Sequence, residues 1–374
     1  MKTVVTVGEL GVDWIASTKG SSFFDCRNFE RSLGGNAANI AVGLSRLGTP
    51  SRLVACLGED LHAEYLRRVL VKEGVDTSFI YTSNEYSTAQ CYVFATVDED
   101  NSFYNFPKTS AAADLDLEKV GEDQIANAAC LHTTGISMMA EPRTSAVLAY
   151  MQLARKKGLI VSFDAGFPTG FGSVVKKAVS KAFIQADIVK MNLPEFIYWS
   201  KQLYSLNLDV DPAALALYEN QPCTGFESQS LAGFLDMPIA AFEHAALSFY
   251  KESQCPIVIV TMANKGALVI FREKVFTAKA YNIDTVATVG AGDAFMSGFL
   301  HAILNSLESL APGQNGSNDS TPIEKLNSIS DENFSQAVPF ACAVAALSTT
   351  EMSAYRGLPS KEQALKLVQS GAVK

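Results

Sequence analysis

Histidine is scarce in this chain, with 4 copies in 374 residues, and no two of them stand at ligand spacing. The 7 cysteines (Cys26, Cys56, Cys91, Cys130, Cys223, Cys255 and Cys342) are odd in number and form no Cys-x-x-Cys pair. These absences argue against a zinc site and against a disulfide framework, and the cysteines read as reduced core thiols of a cytosolic protein. No run of 18 apolar residues occurs, so no membrane-spanning helix and no membrane partner is expected. The apolar stretch in Met1–Val7 is too short for a signal peptide, which points to a cytoplasmic location. Positive charge is also short. Lys and Arg number 30 against 39 Asp and Glu, a formal net charge of −9, which argues against nucleic acid as partner. A lysine is missing from Gly43–Thr49, which has the glycine spacing of a Walker A loop but reads as a helix end, and no Gly-x-Gly-x-x-Gly follows a strand. A nucleotide, if bound, is held by another design.

What is present is core-forming material. Hydrophobic residues make up 48% of the chain and charged residues 18%, enough for a large α/β domain with an appendage, or for two domains. Thr3–Val7 reads as a buried strand, and Ala37–Leu47 as a helix stopped by Gly48. Strands at Arg52–Cys56, Ala129–Thr133, Leu159–Asp164, Ile188–Met191, Ile257–Thr261 and Ala267–Phe271 follow. They alternate with helices at Ala63–Lys72, Arg143–Lys157, Val174–Ile184, Ala291–Leu307, Phe334–Thr350 and Lys361–Gln369. Repeated β-α-β units imply a doubly wound, mostly parallel sheet with helices on both faces. Two β-rich stretches, 13–31 and 88–106, break this rhythm and read as a small sheet over the core (1–12, 32–87 and 107–374), or else as edge strands of the main sheet. The polar stretch 311–333 reads as a mobile loop and 203–238 as an irregular insertion.

Chemistry concentrates at Thr288–Phe295, where Gly290, Ala291 and Gly292 lead into Asp293 and a helix. Small residues let amides approach an anion, and a helix start offers N–H groups and positive potential. A carboxylate there could take the proton of an attacking hydroxyl. Read alone, the same residues fit a capped helix in a tight turn. Gly34, Gly35 and Asn39 surround another helix start, and Asp13 could grip paired hydroxyls; a turn aspartate and a surface asparagine explain them equally. Asn192 and Glu195, after Lys190, form a capping pair around Pro194, or a place for phosphate and hydrated Mg²⁺. Thr261 and Gly266 bracket a hairpin turn with Gly266 left-handed, or the wall of a nucleotide site.

In this order, these segments resemble the ribokinase/PfkB family of carbohydrate kinases over nearly the whole chain. Gly34–Gly48 is similar to its N-terminal signature, Lys190–Glu195 to its Asn-x-x-Glu motif, Thr261–Gly266 to its nucleotide-wall turn and Asp284–Leu300 to its Gly-Ala-Gly-Asp signature. The resemblance implies a ribokinase-like fold with a β-sheet lid and an ATP-dependent sugar kinase. Asp293 would be the base, with the amides of Gly290, Ala291 and Gly292 around the transferred group. Asp13, Gly34, Gly35 and Asn39 would hold the sugar, with Gln90, Phe103 and Asn105 lining its pocket from the lid. Lys190, Asn192, Glu195, Thr261 and Gly266 would face ATP, with Mg²⁺ reached by Glu195 through water. The family commonly has Asp where Ala287 stands, so activation by a monovalent cation is not carried over. Asp164–Pro168 departs from the family's Asp-x-Asn-x-Arg, which favours a neutral sugar. The Gly8–Glu9 opening and His132–Ser137 resemble fructokinase-type members, so fructose is the first guess. A nucleoside or 2-keto-3-deoxygluconate kinase is the alternative, and a silent sugar- or nucleotide-binding regulator the further one. The resemblance also implies a homodimer through the lid, with Tyr92 or Phe94 buried in it.

Overall fold

The computed structural model describes residues 3–20, 22–95, 101–106, 109–166, 172–206, 239–310 and 320–374. Runs of β-branched and aliphatic residues become strands that are buried on both faces. Among the described residues there are 13 strands in two sheets. In the large sheet, β1 (Thr3–Val7), β4 (Ser51–Gly58), β5 (Asp76–Ser83), β8 (Ala128–Thr134), β9 (Ile160–Asp164), β10 (Ile188–Asn192) and β11 (Ile257–Thr261) are parallel. β12 (Ala267–Phe271) and β13 (Lys274–Ala278) turn back antiparallel at one edge. The order is β13-β12-β11-β10-β9-β8-β1-β4-β5. The chain therefore winds outward from β1 in both directions. In such sheets, ligands settle at the carboxyl ends of the strands where the winding reverses, here between β1 and β8.

Alternation decides which side chains meet which helices. Val5, Val7, Leu131, Val161, Val189 and Val258 face the helices Arg143–Lys156, Ser173–Gln185, Leu193–Tyr204 and Ile239–Ser253. Val4, Cys130, Ile160, Ile188 and Ile257 face the opposite layer, where Asn36–Arg46, Ala291–Ser309 and Asp331–Ser348 lie. The doubly wound expectation holds. β5 and β13 arise where the sequence shows no clear alternation. The reduced-core reading of the cysteines also fits the described ones: Cys56, Cys130, Cys255 and Cys342 are buried, and Cys26 and Cys91 are half-buried free thiols. Cys223 lies outside the described residues.

The two β-rich stretches form a separate four-stranded sheet, in the order β3 (Phe29–Gly34), β2 (Gly11–Ala16), β6 (Ala89–Ala95), β7 (Asn101–Phe106). It is mixed, because β2 pairs parallel with β6. The expected loop 311–333 needs correction. Pro322–Asn327 is helical, and the next helix starts at Asp331 rather than Phe334. Thr321 and Glu324 form a capping box around Pro322, and Ser330 caps the following helix, so local signals override the polar composition. Residues 311–319, and 207–238 of the expected insertion, lie outside the described residues.

The helix carrying Asp293 is seated by a close approach. A Cβ on Gly298 would lie 2.9 Å from Ala341 Cα and 3.0 Å from Val344 Cγ2 of the neighbouring helix. Gly298→Ala should therefore lower unfolding free energy in urea by about 1–3 kcal/mol, the usual cost of overpacking; an unchanged midpoint would show that the two helices separate freely.

Candidate active site

Asp293 stands in the first turn of the helix Ala291–Ser309, and the residue is 4% exposed. Gly290 precedes it in the left-handed region (φ 76°, ψ 4°), and a Cβ there would strike the Ala354 side chain at 2.4 Å. Only glycine satisfies both conditions. The sharp entry brings the helix N-terminus to the carboxyl end of the sheet. Of the amides expected to line an anion cradle, that of Ala291 donates to Thr288 O at 3.2 Å. Gly292 and Asp293 follow at positions whose N–H groups have no intrahelical acceptor. Of the three expected amides, that of Ala291 is thus engaged in the turn, and Asp293 N, outside the expected set, is open beside Gly292 N.

A second helix, Asn36–Arg46, holds the Asp293 carboxylate. Asn39 Nδ2 donates to Asp293 Oδ2 at 2.9 Å, and Asn39 is itself 4% exposed. One turn further on, Gly43 lies against Ser297, whose hydroxyl would be 2.3 Å from a Cβ on Gly43. The i, i+4 spacing on both helices makes these contacts successive rungs of one crossing. Asn39 Oδ1 is buried without a hydrogen-bond partner among the described residues.

Lys190 closes the other side. It lies on β10, and its ammonium donates to Asp164 Oδ2, at the end of β9, at 2.9 Å. Both side chains are buried, at 6% and 5% exposure. A Cβ on Gly292 would stand 2.8 Å from Lys190 Nζ, so the glycine admits this cation to the helix start. Burial works against the charged ammonium, but Asp164, Glu195 and Asp293 outweigh it and hold Lys190 protonated. Burial raises the Asp293 carboxyl well above the ordinary carboxylate range; Asn39 and Lys190 pull it down, while Asp164 and Glu9 push it further up. Glu195 is also raised by burial, against the pull of Lys190. The capping box is complete: Glu195 N donates to Asn192 Oδ1 at 2.9 Å, and Asn192 N donates to Glu195 Oε2 at 2.7 Å. Thr261 pairs with Asn192 across β10 and β11. β11 and β12 form the expected hairpin, and Gly266 closes its turn at φ 99°, in the left-handed range that favours glycine.

On the small sheet, Asp13 is half-buried. Its carboxyl lies over Gly34, where a Cβ would come within 2.1 Å of Oδ1. Gly35 adopts φ 102° against the Glu9 carbonyl, which no side chain would allow. The register puts Ser32, Cys91 and Asn105 on the Asp13 face, and Val93 and Phe103 two residues along on that same face. Gln90 is a correction. It falls on the opposite face, and its side-chain oxygen accepts from Trp14 Nε1 at 2.9 Å. Tyr92 and Phe94 share that outer face and pack on Phe23 and Phe29 within the chain, with Phe94 only 3% exposed. A partner chain is not needed to cover Phe94.

Some participants carry no signal in the sequence. Ser32 and Ser353 share a buried hydrogen bond of 2.6 Å, and Ala354 then packs on Gly290. Arg356 is ion-paired with Glu30, and Lys19 Nζ donates to Val286 O at 3.2 Å. The small sheet is therefore tied to the segments around Gly290. Phe167 and Pro168, where the motif departure falls, lie outside the described residues. Among the described residues there is no group of three or more His, Cys, Asp or Glu fit to cage a metal, and no helix long and apolar enough to cross a membrane.

Similarity to known proteins runs over almost the whole chain. The family model described as "pfkB family carbohydrate kinase" matches residues 1–220 and 223–361. Fructokinase-2 of Solanum lycopersicum is 25% identical over 372 residues, covering 99% of this chain and 97% of its own. Fructokinase-1 of Oryza sativa subsp. japonica is 25% identical over 370 residues, covering 98% of each. Among solved structures, a fructokinase from Xylella fastidiosa with bound ATP superposes with a TM-score of 0.75 at 22% identity, covering 99% of this chain and 98% of that one.

Burial raises the Asp13 carboxyl from 3.8 to about 7. The fold disfavours its ionised form, so Asp13 subtracts from stability progressively as pH rises from about 4 to about 7. Asp13→Asn should raise the melting temperature more at about pH 8 than at about pH 4. Equal shifts at both pH values would mean that water reaches the carboxyl freely.

Proposed function

This chain belongs to the pfkB family of carbohydrate kinases, and we propose that it uses ATP to phosphorylate a primary hydroxyl of a neutral sugar, with fructose first in line. A carbohydrate kinase moves a phosphoryl group to a sugar hydroxyl. The observation that carries this reading is the buried Asp293 carboxylate, held by Asn39 at 2.9 Å in the first turn of a helix that admits the Lys190 ammonium at Gly292. In phosphoryl transfer the protein's work is positioning and charge stabilisation, with a base for the acceptor proton. Asp293 takes that proton, and its raised affinity for protons matches it to the task. The amides of Gly290, Gly292 and Asp293, with Lys190, stabilise charge on the transferred group.

On the acceptor side, Asp13, Gly34, Gly35, Asn39 and Phe103 hold the sugar. Asp13 and Asp293 are both carboxyl groups, which accept hydroxyl protons and repel a carboxylate or phosphate on the acceptor. This supports a neutral sugar over an acidic one. The small sheet acts as the lid that excludes water. The names of the plant relatives support fructose as the first acceptor to try. On the donor side, Asn192, Glu195, Thr261 and Gly266 border the nucleotide. Lys190 faces Asp164, Glu195 and Asp293 in burial, so carboxyl groups are in surplus over cations there. That surplus fits Mg²⁺ arriving with the phosphates, held by Glu195 through water; bound there, the ion neutralises phosphate charge. A monovalent cation has no such support. Ala287 is 1% exposed and brings no side-chain oxygen to its bend.

Asp293→Asn should lower kcat by about 10²–10⁴-fold while ATP affinity persists; activity within a few-fold of the parent would remove Asp293 as the base. The acid limb of kcat/KM should lie well above the ordinary carboxylate range, because burial raises Asp293 and activity needs it ionised. An ADP-release assay over sugars and nucleosides should show turnover with neutral sugars. Turnover with nucleosides alone would overturn the sugar assignment.

A further inference from the structure

The Gly8–Glu9 opening and the His132–Ser137 segment have no role in the reading above, yet the fold brings them together. Glu9 follows β1 and Ser137 follows β8, so they flank the place where the winding of the sheet reverses. Ser137 Oγ donates to Glu9 Oε2 at 2.5 Å, and Ser137 is fully buried. The other carboxylate oxygen, Oε1, accepts from Asn36 N at 3.0 Å. Asn36 is the first residue of the helix that carries Asn39, and that helix starts at Gly35 with no side-chain cap of its own. Glu9 is therefore a cap supplied from outside the helix, with its negative charge at the positive end.

The far side of this bridge is rigid. Arg143 is buried, and its Nε donates to Ser137 O at 2.7 Å, Nη2 to Ile136 O at 3.1 Å and Nη1 to Ala112 O at 2.5 Å. Ser137 N donates to Thr134 Oγ1 at 3.3 Å. The Ser137 turn is thus fixed before Glu9 reaches it. Gly35 is pressed on the Glu9 carbonyl, where a Cβ would lie 2.4 Å away, so backbone and side chain of Glu9 clamp the helix start together. Asn39 is one turn into that helix.

We propose that Glu9 is a positioning residue for phosphoryl transfer: bridging Asn36 N and Ser137 Oγ, it sets where Asn39 stands and so where Asn39 holds the Asp293 carboxylate. This rests on the kinase reading above, in which Asp293 is the base. The bridge needs an acceptor at Asn36 and a polar partner at Ser137, and it does not need a charge. A glutamine can accept from Asn36 N and donate to Ser137 Oγ, whose hydrogen then turns to Thr134 Oγ1, 3.1 Å away.

The test compares the parent with Glu9→Ala and Glu9→Gln by steady-state kinetics with fructose and MgATP, by melting temperature, and by hydrogen exchange at the amides of residues 36–39. Glu9→Ala should lose at least about tenfold in kcat, approaching the roughly hundredfold cost of a ~1 Å misplacement, with KM for ATP within about threefold. Its amides at 36–39 should exchange faster, and Glu9→Gln should restore both kcat and protection. Glu9→Ala with unaltered kcat and unaltered exchange, or Glu9→Gln impaired as severely as Glu9→Ala, overturns the proposal. If Glu9→Ala does not fold, Ser137→Ala takes its place: a lower kcat at unchanged ATP KM supports the bridge, and an unchanged kcat overturns it. A parent inactive on every sugar defeats the kinase reading instead, and the exchange data alone then decide on the bridge.

Discussion

The Lys190 ammonium, buried at the end of β10, holds Asp164 in a direct ion pair and lies in the field of Glu195 and Asp293. Taking such charges out of water costs several kcal/mol each unless partners compensate. The sheet supplies the compensation by register: Lys190 pairs with Asp164 across β10 and β9, so cation and carboxylate emerge side by side at the same strand ends. Gly292 then brings a helix start to the same cation. Removing the ammonium would leave three carboxyl groups facing one another in burial, so Asp164, Glu195 and Asp293 depend on it alike.

The contact between Asn39 and Asp293 is built by a different device. Two helices cross where Gly43 meets Ser297, and the same crossing places Asn39 on Asp293 one turn earlier. The first of these helices is capped by Glu9, from the end of β1. The second is bent into place by Gly290 against Ala354. Neither helix carries a side-chain cap on its own first turn. With Glu9 on Asn36 N, it is the second helix, starting at Gly290, whose N-terminus is left without a side-chain cap toward the strand ends, where anions are best received.

Much of this is legible in the sequence, for physical reasons that differ from element to element. Strands buried on both faces are continuous apolar runs, so β1, β9, β10 and β11 stand out; β5, with its mixed Asp76–Ser83 composition, does not. Asn192, Pro194 and Glu195 announce a helix start because capping is a local interaction, and the capping box forms. Gln90 could not be placed, because both faces of the small sheet carry large residues. Trp14 and Tyr92 lie on one face and Ile15 and Val93 on the other, so alternation does not tell inside from outside. Asp164 and Lys190 are 26 residues apart, and only the strand order makes them partners. The Ala291 amide escapes prediction because its acceptor, Thr288 O, depends on how the turn closes.

The hydrogen bond between Ser32 and Ser353 joins positions 321 residues apart, and Asn39 and Asp293 are separated by 254. Contacts of such range form late, because loop closure must precede any reward from them. During synthesis the amino-terminal strands and the first helix leave the ribosome long before Gly290, Asp293 and Ser353. A nascent chain that has already built its first helix still lacks Asp293 and Ser353, so Asn39 and Ser32 wait for partners that are made last. The topology itself postpones the meeting of these side chains until the polypeptide is nearly whole.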